Sequence, residues 1–181
     1  MTELPDQHPA SALPRALEGL RVLDVTQFMA GPYCSTILAD LGADVIKIEP
    51  PSGDSTRQMV GASGSESPSF NAVNRGKRSL VVNLKHPDAR ELFKRLVRSS
   101  DILVENYRPG VMQAFGLDYD AVAAINPALI YASISGYGQT GPHRSKGGFD
   151  LIAQGVSGIM SVTGEPGRPP AKATRNRNRQ A

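Results

Sequence analysis

The sequence predicts an α/β protein built on a doubly wound parallel sheet. Three observations carry that prediction. A strand, a helix and a second strand fit between Leu20 and Glu49. Further short apolar runs rich in β-branched residues follow, the later two each preceded by a helical pattern. A glycine-rich loop stands directly after the last of them.

Taken in order, residues 1–16 are rich in Pro, Ala and polar groups and read as a flexible leader, with structure expected from Leu17. Leu20 to Val25 is apolar and short, the pattern of a buried strand. Gly31-Pro32 places a proline at a helix start, and Tyr33, Ile37, Leu38 and Leu41 are expected to form its apolar face until Gly42 ends it. Asp44 to Glu49 is the second strand. A helix between two such strands makes a right-handed parallel crossover, since antiparallel neighbours need only a turn.

Pro50 to Ser69 is dense in Pro, Gly and Ser, which predicts a long surface loop. Ser79 to Asn83 is the third strand. His86-Pro87 opens a helix whose Ala89, Leu92, Phe93, Leu96 and Val97 share one face, with Glu91 and Arg95 spaced for an ion pair on the wet side. Asp101 to Glu105 is the fourth strand, and Pro109-Gly110 leads into a short helix ending at Phe115. Tyr119 to Ile125 is helical, and Leu129 to Ser135 is the fifth strand. This alternation makes the sheet Rossmann-like. Gly136 to Gly148 then lies at the carboxyl end of the fifth strand, where open parallel sheets bind ligands. Phe149 to Val162 continues as a helix, whose Ala153, Gly155, Ser157 and Gly158 are expected to allow close packing.

Composition narrows the partners. With 181 residues and 40% apolar content, the chain has the makings of one soluble domain. No apolar run is long enough to span a bilayer, and the amino terminus lacks a secretory pattern, so the expectation is a cytoplasmic protein without a membrane partner. Cys34 is the single cysteine and reads as a half-buried helical thiol. The net charge of +3 is uneven. Five basic residues lie at Arg168, Lys172, Arg175, Arg177 and Arg179, and no acid follows Glu165, so residues 1–166 carry 15 basic residues against 17 acids. A body of net −2 is not expected to bind nucleic acid, and residues 173–181 read as a basic disordered tail.

Several chemistries lack their residues. The turn after the first strand, DVTQFMAGPYCS, has one glycine where a dinucleotide fingerprint needs three, although Glu49 stands where a ribose-binding acid would. A phosphate-binding G-x-x-x-x-G-K-[ST] loop is missing. His8, His86 and His143 are scattered, which predicts no metal site. There is no G-x-S-x-G, and Ser157 in GVSGI reads as a packing position in a helix.

Three collinear blocks do converge: GLRVLDVTQFMAGPYCSTILADLGADVIKIEPPSGD from Gly19, KRSLVVNLK from Lys77, and DILVENYRPG from Asp101. In order and spacing they resemble the CaiB/BaiF family, the family III CoA-transferases. The resemblance runs from about Leu17 to Lys172 and implies that residues 17–172 are an incomplete amino-terminal, CoA-binding domain of such an enzyme. It further implies an interlocked homodimer, no permanently bound cofactor, and coenzyme A or acyl-CoA as substrate with a carboxylate acceptor. In such enzymes an Asp carboxylate attacks the thioester to give a mixed anhydride. CoA thiolate then attacks the anhydride, leaving an aspartyl-CoA thioester before the acceptor enters.

Carried over position by position, the resemblance assigns CoA binding to Met29 and Ala30 after the first strand and to Val82, Asn83, Leu84 and Lys85 after the third. It adds Asn106, Tyr107 and Arg108 after the fourth strand, and Gly147, Gly148, Phe149 and Asp150 after the fifth. Lys85 and Arg108 are the expected phosphate cations, and the backbone of residues 82–84 the expected adenine wall.

Two departures shape the functional expectation. Racemase-like relatives carry a His immediately before the Asp that matches Asp150, whereas this chain has Phe149, which cannot take an α-proton. Asp150 therefore reads as a supporting polar residue, and a transferase is expected over an α-methylacyl-CoA racemase. The nucleophilic Asp is expected beyond Lys172, where the sequence reads ATRNRNRQA, so no catalytic residue is assigned and this chain is expected to be inactive alone. The alternative reading is a non-catalytic CoA-binding or dimerising fragment.

Overall fold

The computed structural model describes residues 14–59 and 67–173. Five parallel strands form one sheet: β1 (Arg21–Asp24), β2 (Asp44–Glu49), β3 (Arg78–Val81), β4 (Ile102–Glu105) and β5 (Ile130–Ser133). Their order is β3-β2-β1-β4-β5, with Val22 opposite both Val45 and Ile102, and Glu105 opposite Ser133. The chain steps outward from β1 in one direction, then returns to β4 on its other side. That reversal places the topological switch point between the carboxyl ends of β1 and β4.

Side-chain alternation divides the core between the two faces. Leu23, Ile46, Ile48 and Leu103 point to the larger core, where they meet Phe93, Val97, Met112, Leu117, Val122 and Leu129. The helices supplying that cover are α3 (Pro87–Arg98), α4 (Val111–Ala114) and α5 (Tyr119–Ala123). His86 caps α3, accepting the Asp88 N–H, and Pro87 occupies its first position, where a missing donor costs nothing. On α3, Glu91 pairs with Lys94 at 2.8 Å rather than with the expected Arg95.

Val22, Val45 and Val104 face the opposite side, under α1 (Ala30–Asp40), against which α2 (Pro68–Asn74) packs. Here the expected apolar face of α1 is corrected. Tyr33, Ile37 and Leu41 are exposed, whereas Gly31, Pro32, Ser35, Thr36 and Ala39 are buried and only Leu38 of the expected set packs on the core. The cause is close approach: a Cβ on Gly31 would lie 2.3 Å from Thr26 Cβ, so small residues let the helix settle onto β1. Cys34 is partly buried beside them, as expected.

The expected surface loop over Pro50–Ser69 is also corrected. Asp54, Thr56 and Ser67 are buried, a 3-10 turn runs over Ser55–Gln58, and Ser67 caps α2, a helix absent from the sequence reading. The expected helix over Phe149–Val162 breaks. It comprises α6 (Asp150–Val156), a left-handed Gly158 with φ 80°, and a 3-10 turn over Ile159–Val162. Its small residues do not pack closely, since only Gln154 of α6 is buried. Strand limits fall one or two residues inside those expected at β1, β4 and β5, and β3 ends at Val81 rather than Asn83.

Of the expected leader, residues 1–13 lie outside the described residues, while the Arg15 side chain packs beside Gly42. The expected tail beyond Ala173 lies outside them too. Among the described residues no helix is long and apolar enough to cross a membrane.

Candidate functional site at the carboxyl edge

Polar residues fix the exit of β1 before any ligand is considered. Asp24, at the end of β1, accepts hydrogen bonds from the Thr26 N–H and hydroxyl, the Ser35 hydroxyl and the Lys77 ammonium. Asp54 repeats the device one strand away: it accepts from Thr56 N–H and hydroxyl and pairs with Lys47 at 2.8 Å. Lys47 also donates to Thr26 O at 2.9 Å, so the two units are joined beneath the edge. Such burial of charge is tolerable only because every ion has an opposite partner. Desolvation lowers the Lys77 pKa, against the pull of Asp24.

Above these units the exits of β1 and β4 are tied directly. Gln27 N–H donates to Asn106 Oδ1 at 2.9 Å, and Asn106 Nδ2 donates to Gln27 O at 2.7 Å. The Ser55 hydroxyl donates to the Gln27 side chain at 3.1 Å, bringing the loop after β2 against the same point. Phe28 follows at φ 67°, an unusual backbone region for a bulky residue, with its ring about half exposed. The turn after β4 is held by Glu105, which accepts the Tyr107 N–H at 2.8 Å and is raised in pKa by burial. Tyr107 is likewise raised by burial and bonded to Gln27.

The sequence-assigned residues divide into groups. Met29 and Ala30 are exposed where β1 gives way to α1, next to the Gln27–Asn106 tie. Arg108 is exposed beyond that tie, and Gly147 comes to it from the glycine-rich loop: a Cβ on Gly147 would lie 3.6 Å from the guanidinium. Gly148 instead packs against Gly136. Phe149 is exposed, and Asp150 opens α6, accepting from Gln154 Nε2 at 2.9 Å with the Lys172 ammonium at 3.9 Å.

The group after β3 is more distant. Two strands separate β3 from β4, which sets the carboxyl ends of these strands, before Lys85 and Arg108, roughly 14 Å apart on the same edge. Val82 and Leu84 bury their side chains in the larger core and donate their N–H groups to Glu49 O and Val82 O, while Asn83 and Lys85 are exposed. A groove of about 500 Å³ begins two residues past Lys85, lined by Pro87, Arg90 and Glu91 of α3 and by Gln113, Ala114 and Phe115 beside α4. Among the described residues no cluster of three or more His, Cys, Asp or Glu is arranged to hold a metal ion.

Gln27, Phe28, Ser55 and Gly136 were missed in the sequence. Their signals are faint: a polar residue just past an apolar run, and one glycine among several. Four acids at the strand exits are engaged in structural bonds. Asp24, Glu49, Asp54 and Glu105 are buried and bonded, which leaves none of them poised as an attacking carboxylate.

The family model for CoA-transferase family III matches residues 17–176. A succinate–glutarate CoA-transferase of Agrobacterium fabrum is 45% identical, over 96% of this chain and 44% of its own length. An acetyl-CoA:oxalate CoA-transferase of Acetobacter aceti is 51% identical, over 86% of this chain and 40% of its own. The crystal structure of a CaiB/BaiF family protein from Brucella suis superposes with a TM-score of 0.83 at 44% identity, covering 88% of this chain and 43% of that one. The chain thus spans about two-fifths of the length of the relatives it matches.

Proposed function

The chain belongs to CoA-transferase family III, and on that premise we propose that its carboxyl sheet edge binds the CoA of an acyl-CoA in an enzyme that moves CoA to a carboxylate acceptor. One observation carries the reading. The reciprocal Gln27–Asn106 bonds bring Met29 and Ala30 to the turn presenting Tyr107 and Arg108, at the switch point where parallel sheets take ligands.

CoA has an extended shape and a concentrated charge at one end. The exposed Arg108 and Lys85 supply cations on one edge, and the groove between α3 and α4 is of a size that takes an adenine nucleotide. Gly147 leaves room for a ligand to approach the Arg108 guanidinium, and Phe149 and Asp150 form the far rim. CoA is a substrate in this reading, not a resident cofactor. Homodimeric assembly and a cytoplasmic location belong to the same proposal and rest on the family alone.

This chain's own share is binding. The acids at the strand exits, Asp24, Glu49, Asp54 and Glu105, are committed to structural bonds and Asp150 is kept as a supporting polar residue, so the reading assigns the acyl-accepting carboxylate to none of the described residues and expects no turnover from the chain alone. Calorimetric titration with CoA tests the binding, and a coupled assay with succinyl-CoA and carboxylate acceptors tests the turnover. Saturable binding that is weakened about tenfold by Arg108→Ala is expected. An absence of binding removes the reading, and clear transferase activity contradicts the assignment of roles.

A further inference from the structure

We infer that Gly136 and Gly148 form a neck of bare backbone that positions Gly147 against Arg108, which makes Gly136 a positioning residue of the CoA site; the inference rests on the reading of that site given above. The two glycines lie on either side of the loop that follows β5. A Cβ on Gly136 would sit 2.4 Å from Gly148 Cα and 2.9 Å from its nitrogen. A Cβ on Gly148 would sit 2.4 Å from Gly136 Cα. These neighbours are main chain on both sides, so no flexible side chain can swing aside.

The loop between them is braced by local contacts. Lys146 N–H donates to His143 O at 2.9 Å, and the Tyr137 and His143 rings meet edge to face at 5.8 Å. No residue from Gly138 to Gly148 is buried. What fixes the loop's return is therefore the neck, and the return delivers Gly147 to the Arg108 guanidinium. A methyl group on either glycine must open the neck by roughly 1 Å to restore ordinary contact. That distance exceeds the roughly 0.5 Å range of N–H···O separations, so an arginine aligned by Gly147 loses its aim while the remote core is untouched.

The experiment uses the full chain, with CoA as the titrant. Gly136→Ala and Gly148→Ala are each expected to weaken CoA binding about tenfold, with melting temperatures within about 2 °C of the parent. Gln139→Ala, an exposed change inside the loop, is expected to leave affinity within about twofold. Without ligand, the Nε–Hε resonance of Arg108 is expected to move in both glycine variants and to stay in place in Gln139→Ala. Parent-like affinity in both glycine variants, or a fall in melting temperature that parallels the lost affinity, overturns the inference. Should the parent bind no CoA, the functional reading fails, and the neck is then judged on the resonance alone: a shift upholds it and an unmoved signal rejects it.

Discussion

The Lys77 ammonium lies 2.9 Å from Asp24 Oδ2, and both side chains are shut away from solvent. Lys77 also reaches Pro32 O and the Ser35 hydroxyl on α1, and Val73 O and Asn74 Oδ1 on α2, all within 3.0 Å. One cation thus fastens two helices to the end of β1, directly beneath the candidate site. Lys77→Met would leave the Asp24 carboxylate buried without its partner, and the expected loss is about 3–5 kcal/mol. Adding Asp24→Asn should recover part of that loss, because the uncompensated charge is removed. Urea unfolding measures both, and a cost for Lys77→Met below about 1 kcal/mol would contradict the role.

Glu49 gives the fold an acid-sensitive element. Burial alone would raise its pKa, but two bonds of 2.7 Å from Arg57, the Ser79 hydroxyl and the Asp54 N–H hold it down to about 2. A carboxyl depressed on folding adds stability that is complete above its unfolded pKa near 4.5 and is lost as pH falls through about 2. The contribution is about 2–3 kcal/mol, discounted because Arg57 is partly exposed. Urea unfolding between pH 6 and pH 2 should show this loss in the parent and a shallower one in Glu49→Gln. An identical acid slope in the variant would place the effect elsewhere.

Phe149 bears on which reaction the site can support. An α-methylacyl-CoA racemase needs a base beside the substrate's α-carbon, and a phenyl ring cannot accept a proton. Incubation with an α-methylacyl-CoA in heavy water should therefore leave the α-proton in place, as read by mass spectrometry. Deuterium incorporation would restore the isomerase reading.

Leu151, Ile152 and Val156 of α6 are 53%, 47% and 73% exposed, and Val162 is 84% exposed. So much exposed apolar surface on one short segment predicts strong binding of an apolar fluorescent dye by the folded chain. Replacing Leu151 and Val156 with Ser should reduce that fluorescence without lowering the melting temperature, because neither residue supports the core. Unchanged fluorescence would locate the dye site elsewhere.

Much of the fold was legible because short β-branched runs and helix-opening prolines are local signals. Asp44–Glu49 is a strand as read, and His86-Pro87 opens a helix as read. The errors share one cause, which is tertiary contact. The apolar side of α1 reads as buried by composition, but Gly31 allows contact with Thr26 and so turns the small-residue side inward. Polar Asp54 and Thr56 look like loop residues until Lys47, inside the neighbouring strand β2, is seen to hold Asp54 in the interior, where Asp54 in turn binds Thr56. At the site, the cations and glycines could be named from family-like blocks, whereas the Gln27–Asn106 tie joins residues 79 positions apart and leaves no local trace.

The central claim is a location, and backbone amide NMR of the chain titrated with CoA addresses it most directly. The account predicts shifts concentrated at Met29 and Ala30, at residues 82–85, at Asn106 to Arg108 and at Gly147 to Asp150. Amides at the opposite edge, including Arg21, Asp44 and Ile130, should stay still. Shifts confined to that opposite edge, or none at saturating CoA, would contradict it.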